Sequence, residues 1–136
     1  MEISFVTSAD GSQIRIGQTG DGDKNILIIP GLAEHLGRYG YMSDALSQAG
    51  LRVTVMEPRG HGKSDGIRGH VDHWGQFAED VQAVAGGIDG SFFLLGHSTG
   101  GLIGLYSILE GLEDRIRALA LSGPNVVDKV DAPIKK

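Results

Sequence analysis

Four short, almost wholly apolar runs, Ile26–Ile29, Val53–Met56, Phe92–Leu95 and Ile116–Leu121, constrain this chain more than any other feature. A β-branched or aromatic run of that length, bounded by glycine or proline, is too short for a core helix and reads as a strand buried on both faces. Such strands need cover above and below, and the segments between them have helical period. From Arg38 to Gln48, Tyr41, Ala45 and Leu46 recur at that spacing, with Gly50 as the stop. From His73 to Ala85, Trp74, Phe77, Val81 and Val84 recur, with Glu79, Asp80 and Gln82 between them and Gly86-Gly87 as the stop. Leu102, Leu105, Leu109 and Leu112 mark a third helical face. Upstream, Ile3–Ser8 and Gln13–Ile16 flank Asp10-Gly11 and read as a hairpin, and the polar, glycine-rich stretch Gly17–Lys24 reads as a surface loop. The order hairpin, strand, helix, strand, helix, strand, helix, strand predicts an α/β fold. Its sheet is mostly parallel, with an antiparallel N-terminal hairpin and helices on both faces.

A length of 136 residues is that of one domain or a piece of a larger one, and residues 1–136 read as a single unit. The net charge of −5, without a run of five like charges, disfavours nucleic acid or an anionic membrane as partner. No stretch approaches the ~18 apolar residues of a membrane span, and Met1-Glu2-Ile3-Ser4 has neither a basic nor an apolar signal region; a soluble, cytoplasmic protein is expected. The absence of cysteine excludes disulfides, thiolate metal sites and a cysteine nucleophile. His70 and His73 are not part of an H-E-x-x-H pattern, and no metal is expected. Gly62-Lys63-Ser64 resembles the end of a phosphate-binding loop, but Glu57 stands where that motif needs its first glycine, so no nucleotide or other cofactor is expected either.

Ligands of a parallel sheet sit beyond the carboxyl ends of its strands, here after Ile29, Met56 and Leu95. The third of these loops carries Gly96-His97-Ser98-Thr99-Gly100, a G-x-S-x-G pattern between a strand and a helix. At such a corner the serine takes a strained backbone, and Gly96 and Gly100 relieve crowding two residues to either side, leaving the Ser98 hydroxyl exposed as a nucleophile. His97 adjoins it, and the Thr99 N–H at the helix start points where an oxyanion would be held. A plain glycine-rich turn is the alternative. In Pro30-Gly31-Leu32-Ala33-Glu34-His35, the Leu32 N–H stands where a second oxyanion donor belongs; a simple strand-to-helix turn fits this spacing equally well.

Four blocks in order, Pro30–Tyr39, Pro58–Gly66, Arg68–His70 and Gly96–Gly101, resemble the monoacylglycerol lipase and lysophospholipase group of α/β-hydrolases, over about Ile26 to Pro124. The resemblance implies a serine hydrolase of carboxylic esters of the monoacylglycerol or lysophospholipid type, acting on a lipid or small ester. Ser98 is its nucleophile, and Leu32 and Thr99 are its oxyanion donors. It also implies that Glu34 and Arg38 help form the polar pocket for the alcohol; a salt bridge at a helix start is the other reading of that pair. Pro30 replaces the family's common histidine, which leaves the donor at Leu32 untouched.

The family's triad continues with an aspartate and then a histidine on loops after later strands. Ile116–Leu121 counts as the sixth of eight strands, and Gly123-Pro124 stands where a cap insertion would begin. The expected strand order is first, second, fourth, third, fifth, sixth. The chain thus reads as the N-terminal part of the fold, without cap, last two strands, acid or base, and none of His35, His61, His70, His73 or His97 offers itself as the base. Asp128 and Asp131 read as solvated residues of a polar tail. Two readings are open: half of an ester hydrolase, or a truncated remnant without chemistry of its own. In either case the sixth strand is an apolar edge open to self-association or to pairing with the missing C-terminal half.

Overall fold

The N-terminal hairpin consists of β1 (Glu2–Thr7) and β2 (Gln13–Thr19), paired antiparallel from Glu2↔Gln18 to Thr7↔Gln13. Its turn closes because the Ser8 N–H reaches the Ser12 carbonyl at 2.8 Å while Asp10 Oδ1 accepts the Ser12 N–H at 3.0 Å. The four apolar runs become β3 (Lys24–Ile29), β4 (Leu51–Met56), β5 (Phe92–His97) and β6 (Ile116–Ser122). In the computed structural model, which describes residues 1–126, the six strands form one sheet in the order β1-β2-β4-β3-β5-β6. β2 is antiparallel to β4, and β4, β3, β5 and β6 are parallel, as the sequence predicts. Asp128 and Asp131 lie outside the described residues.

The predicted loop over Gly17–Lys24 is shorter than its composition suggests. Gly17, Gln18 and Thr19 pair with Val55, Thr54 and Val53 of β4, and Lys24 pairs with Leu51. Pairing to a buried neighbour overrides the weak strand propensity of these residues.

Period-2 alternation divides β3 between two apolar layers. Leu27 and Ile29 join Phe77, Val81, Leu94 and Ile103 on one face, and Ile26 and Ile28 join Leu36, Tyr39, Val53 and Val55 on the other. Helices α2 (Gly75–Gly86) and α3 (Thr99–Ser107) cover the first layer, and α1 (Gly40–Gln48), entered through a 3-10 turn at Leu36–Tyr39, covers the second. Leu27, Ile28 and Ile29 are completely buried, and each such side chain stabilises by ~1.5–3 kcal/mol. That anchors β3 at the sheet centre, where its carboxyl end stands level with that of β5 through the pair Ile29↔Gly96.

Helices α1 and α3 bury other faces than the spacing of their apolar residues predicts. In α1, Tyr41 is 90% exposed and Ala45 is exposed; Ser43 and Leu46 face inward, and Leu36 and Tyr39 of the preceding 3-10 turn seal the layer. A 3-10 turn advances by three residues rather than 3.6, which resets the phase of the helix it leads into. In α3 the buried residues are Gly100, Gly101, Ile103, Gly104 and Ser107, whereas Leu109 is exposed and, of the predicted stripe, only Leu112 is buried. The glycines put that small-residue face nearest the sheet. In α2, Phe77, Val81 and Val84 are buried as expected, but so is Asp80, read from sequence as part of the polar face. It forms a bidentate pair with Arg59, at 2.7 and 2.6 Å.

Candidate active site

β5 ends at His97, α3 begins at Thr99, and the whole change of direction falls on Ser98, with φ 52° and ψ −120°. Left-handed φ is strained for a residue with a Cβ and persists only where its surroundings enforce it. Here the Ser98 carbonyl accepts the N–H groups of Gly101 at 3.0 Å and Asn125 at 3.1 Å, and its own N–H donates to the Ser122 carbonyl at 3.0 Å. The flanking glycines are required by space. A Cβ on Gly96 would lie 2.5 Å from the Gly101 Cα, and one on Gly100 would lie 2.1 Å from the Ile29 carbonyl oxygen and 2.4 Å from that of Pro30.

Main-chain atoms at the end of a central strand cannot yield to a new Cβ as a flexible side chain would. Gly100→Ala is therefore expected to destabilise the chain by ~1–3 kcal/mol, read as a lower urea midpoint. Gly86→Ala, whose Cβ would meet nothing within 4 Å, serves as the neutral or slightly stabilising control.

The loop after β3 lies directly against this corner: a Cβ on Gly31 would stand 3.1 Å from Ser98 Cβ and 3.3 Å from His97 Cδ2. Gly31 to Glu34 form a tight turn, with the Glu34 N–H on the Gly31 carbonyl at 3.2 Å and Ala33 at φ 60°. Glu34 clamps the turn with its own side chain. Its Oε2 accepts the Gly31 N–H at 2.8 Å and the Tyr39 hydroxyl at 2.7 Å, and Arg38 Nε lies 3.1 Å from its Oε1. Burial alone would push the Glu34 carboxyl up, but the Tyr39 and Gly31 hydrogen bonds and the nearby charges of His97 and Arg38 together hold it below the usual carboxylate value. Burial, then the Glu34 hydrogen bond and charge, push the Tyr39 hydroxyl up.

The Glu34–Arg38 salt bridge foreseen in the sequence is therefore present, and both residues also line a cavity of about 280 Å³ with Tyr39, Met42, His97 and Ser122. A second cavity, of about 340 Å³, opens on the other side of Leu32, toward His61 and Arg68. Leu32 and Thr99 flank the corner, and neither N–H has an acceptor among the described residues. No histidine or carboxylate among the described residues is hydrogen-bonded to the Ser98 hydroxyl. His97 Nδ1 is engaged with the Ser122 carbonyl at 3.0 Å, His61 Nδ1 with the Arg59 carbonyl at 3.0 Å, and His35 Nδ1 accepts the Gly37 N–H at 3.2 Å. His70 faces Asp72 at 3.3 Å, and His73 lies beside Gly75.

Sequence reasoning passed over two residues that shape this end of the sheet. Tyr39 is the hydroxyl donor that completes the Glu34 clamp, and Glu57, fully buried, holds the loop that follows β4. A charged residue closing an apolar strand, immediately before Pro58, was the available signal for the second.

The family described as "Serine aminopeptidase, S33" matches residues 20–136. The chain belongs to this α/β-hydrolase family. It is 34% identical over 106 residues to a monoacylglycerol lipase of Mycolicibacterium smegmatis, spanning 74% of this chain and 38% of that protein. With the phospholipase YtpA of Bacillus subtilis it shares 32% identity over 102 residues, 73% of this chain and 39% of that one. Among solved structures, an esterase from Exiguobacterium antarcticum superposes with a TM-score of 0.83 at 26% identity, over 90% of this chain and 46% of the esterase. The chain thus spans well under half the length of the lipase and phospholipase it matches, and corresponds to the N-terminal part of the monoacylglycerol lipase-like group. No helix among its described residues is long and apolar enough to cross a membrane.

Proposed function

We propose that this chain supplies the nucleophile and oxyanion half of a serine hydrolase acting on carboxylic esters of the monoacylglycerol or lysophospholipid type. The observation that carries the reading is the left-handed Ser98 corner with the Gly31 turn packed so close that a Cβ there would meet Ser98, and with the N–H groups of Leu32 and Thr99 unengaged among the described residues. Ser98 Oγ attacks the ester carbonyl carbon, and the charge that develops on the carbonyl oxygen is taken up by the two N–H groups. The serine proton passes to a base and from it to the departing alcohol, leaving an acyl-serine that water then cleaves. Glu34 and Arg38 bind the alcohol portion in the adjoining cavity, where a carboxylate acceptor and a guanidinium donor suit a polyol or a polar head group. The lipase and phospholipase relatives support that substrate class.

The base is the part of this scheme that the described residues do not contain. In the family's order of residues it comes after Ser98 with the acid, beyond β6, on the same polypeptide or on a partner. Among the described residues β6 pairs only with β5, and Ala118, Ala120 and Leu121 on it are exposed, so its free edge is the place where the complementary half docks. The Ser98 hydroxyl, which has no partner among the described residues, favours a second reading for the 136 residues taken alone, a remnant without chemistry.

Labelling with a fluorophosphonate separates the two readings. The 136-residue chain alone is expected to label slowly or not at all. The same chain fused to, or mixed with, a C-terminal half carrying the family's aspartate and histidine is expected to label rapidly at Ser98. No gain in labelling despite demonstrated assembly of the halves would rule out the hydrolase reading.

A further inference from the structure

Glu57 has no part in the scheme above, yet it is completely buried at the end of β4. Its Oε1 accepts the Leu36 N–H at 3.0 Å and Arg15 Nη1 at 3.3 Å, and its Oε2 accepts the Lys63 N–H at 2.7 Å. All three partners are donors. The Glu57 carboxyl is the acceptor for all of them, two on one oxygen and one on the other. Gly62 closes the pocket, since a Cβ there would lie 2.1 Å from the Glu57 carboxyl carbon. The Glu57 main chain belongs to the same knot: its N–H donates to the Arg15 carbonyl at 2.9 Å, and its carbonyl accepts the Ser64 hydroxyl at 2.6 Å.

These bonds join the loop after β3 to the loop after β4. Leu32, Ala33 and His35 are exposed, so the position of the first loop is set at its two buried ends, Gly31 and Leu36. Gly31 is held by Glu34, and the Leu36 N–H is held by Glu57. We propose that Glu57 is a positioning residue for the oxyanion loop, tying its downstream end to the loop after β4 and so keeping Leu32 in place against Ser98. The purpose given to the loop rests on the ester-hydrolase reading; the tie itself does not. Placement matters because a displacement of ~1 Å at such a site costs about 10²-fold in rate.

The decisive variant is Glu57→Gln, which keeps the shape but turns one acceptor into a donor facing an N–H. A residue that merely filled space would tolerate it. In the isotopically labelled 136-residue chain, nuclear magnetic resonance should show scalar couplings across the hydrogen bonds from the Leu36 and Lys63 amide nitrogens to the Glu57 carboxyl carbon. In Glu57→Gln, the Leu36 and Lys63 amides are expected to exchange with solvent at least ~10-fold faster, a loss of ~1.4 kcal/mol of protection. The Leu32 and Ala33 amide signals shift and the Gly31 Hα to Ser98 Hβ proximity weakens, while Leu27 and Leu94 remain protected. Unchanged protection at Leu36 and Lys63, or lost protection with the Gly31–Ser98 proximity intact, overturns the proposal. Should Glu57→Gln not fold, the wild-type couplings decide: their absence overturns it, and their presence supports it. Ser98→Ala leaves the Leu36 and Lys63 couplings and protection in place, so a Ser98 that fails to label even with the complementary half assembled would sink the hydrolase reading without touching the tie.

Discussion

Ser98→Ala, made in the polypeptide that carries the complementary half of the fold, is expected to lower ester turnover by ~10⁶, the scale set by loss of a triad serine. The size reflects the group that is removed. Alanine takes away the attacking oxygen and leaves the Leu32 and Thr99 N–H groups, so residual catalysis falls to the ~10³ over water that oxyanion stabilisation and binding provide. Stability should hardly move, because the Ser98 hydroxyl has no hydrogen-bond partner among the described residues and the bonds that fix its backbone belong to its N–H and carbonyl. A change within ~0.5 kcal/mol is expected. Turnover and urea midpoint measured on one preparation check both halves. Turnover that survives the substitution places the nucleophile elsewhere. In the 136-residue chain alone, rapid labelling that disappears in Ser98→Ala would instead show that a described residue acts as base.

Asp80→Ala is expected to have the largest effect on folding. The Arg59 guanidinium is 6% exposed and is gripped by Asp80, which is fully buried, and by Asp10, which is 36% exposed. Taking away Asp80 removes the fully buried partner of a buried cation and leaves it only the partly exposed Asp10, a loss approaching the about 3–5 kcal/mol of a broken buried pair, against the roughly 5–15 kcal/mol by which a domain of this kind is stable. The urea midpoint should collapse or the chain should fail to fold. Arg59→Met with Asp80→Leu, which removes both charges and fills the space, should recover most of the loss. If the double variant is no better than Asp80→Ala, the damage comes from packing and not from the loss of the buried counter-charge. Asp10→Ala should cost only ~0–1 kcal/mol, as for an exposed pair. The Arg59 hydrogen bond, and then those of Ser12, hold the Asp10 carboxyl well below its ordinary value of 3.8. Its contribution is therefore complete above that pH and is lost as pH falls through the depressed value. The difference between wild type and Asp10→Ala should accordingly vanish only in strong acid.

What could be read from the chain and what could not divide along the range of the forces involved. A buried strand is a local apolar run, a hairpin is a local turn between alternating residues, and the Gly96–Gly100 corner is a steric problem within five residues; all were legible. The mostly parallel sheet also was, from the alternation of strands and helices, and its strand order followed from the resemblance to the α/β-hydrolases. The sequence could not show which helix face meets the sheet. Counting leucines selected Leu102, Leu105 and Leu109, but Gly100 and Gly104 let the backbone of α3 approach β3 and β5 more closely than leucines could, and so the small-residue face went inward.

Polar partners across long separations were equally hidden. Arg59 meets Asp80 twenty-one residues on, Glu57 meets Leu36 from twenty-one residues away, and Gly31 at the neighbouring strand's end leaves little room for a Cβ beside Ser98. Arg59 and Asp80, taken alone, look like ordinary surface residues, and only its place at the end of an apolar strand marks Glu57. By itself the sequence determined the strands and the serine corner, and the resemblance it carries supplied the strand order and pointed to Glu34 and Arg38. The tertiary structure alone decided which charges are buried, which helix faces are covered and how the loop after β3 is held against the serine. Backbone geometry and apolar period act between neighbours, whereas the pairing of buried charges depends on segments that meet only once the sheet has formed.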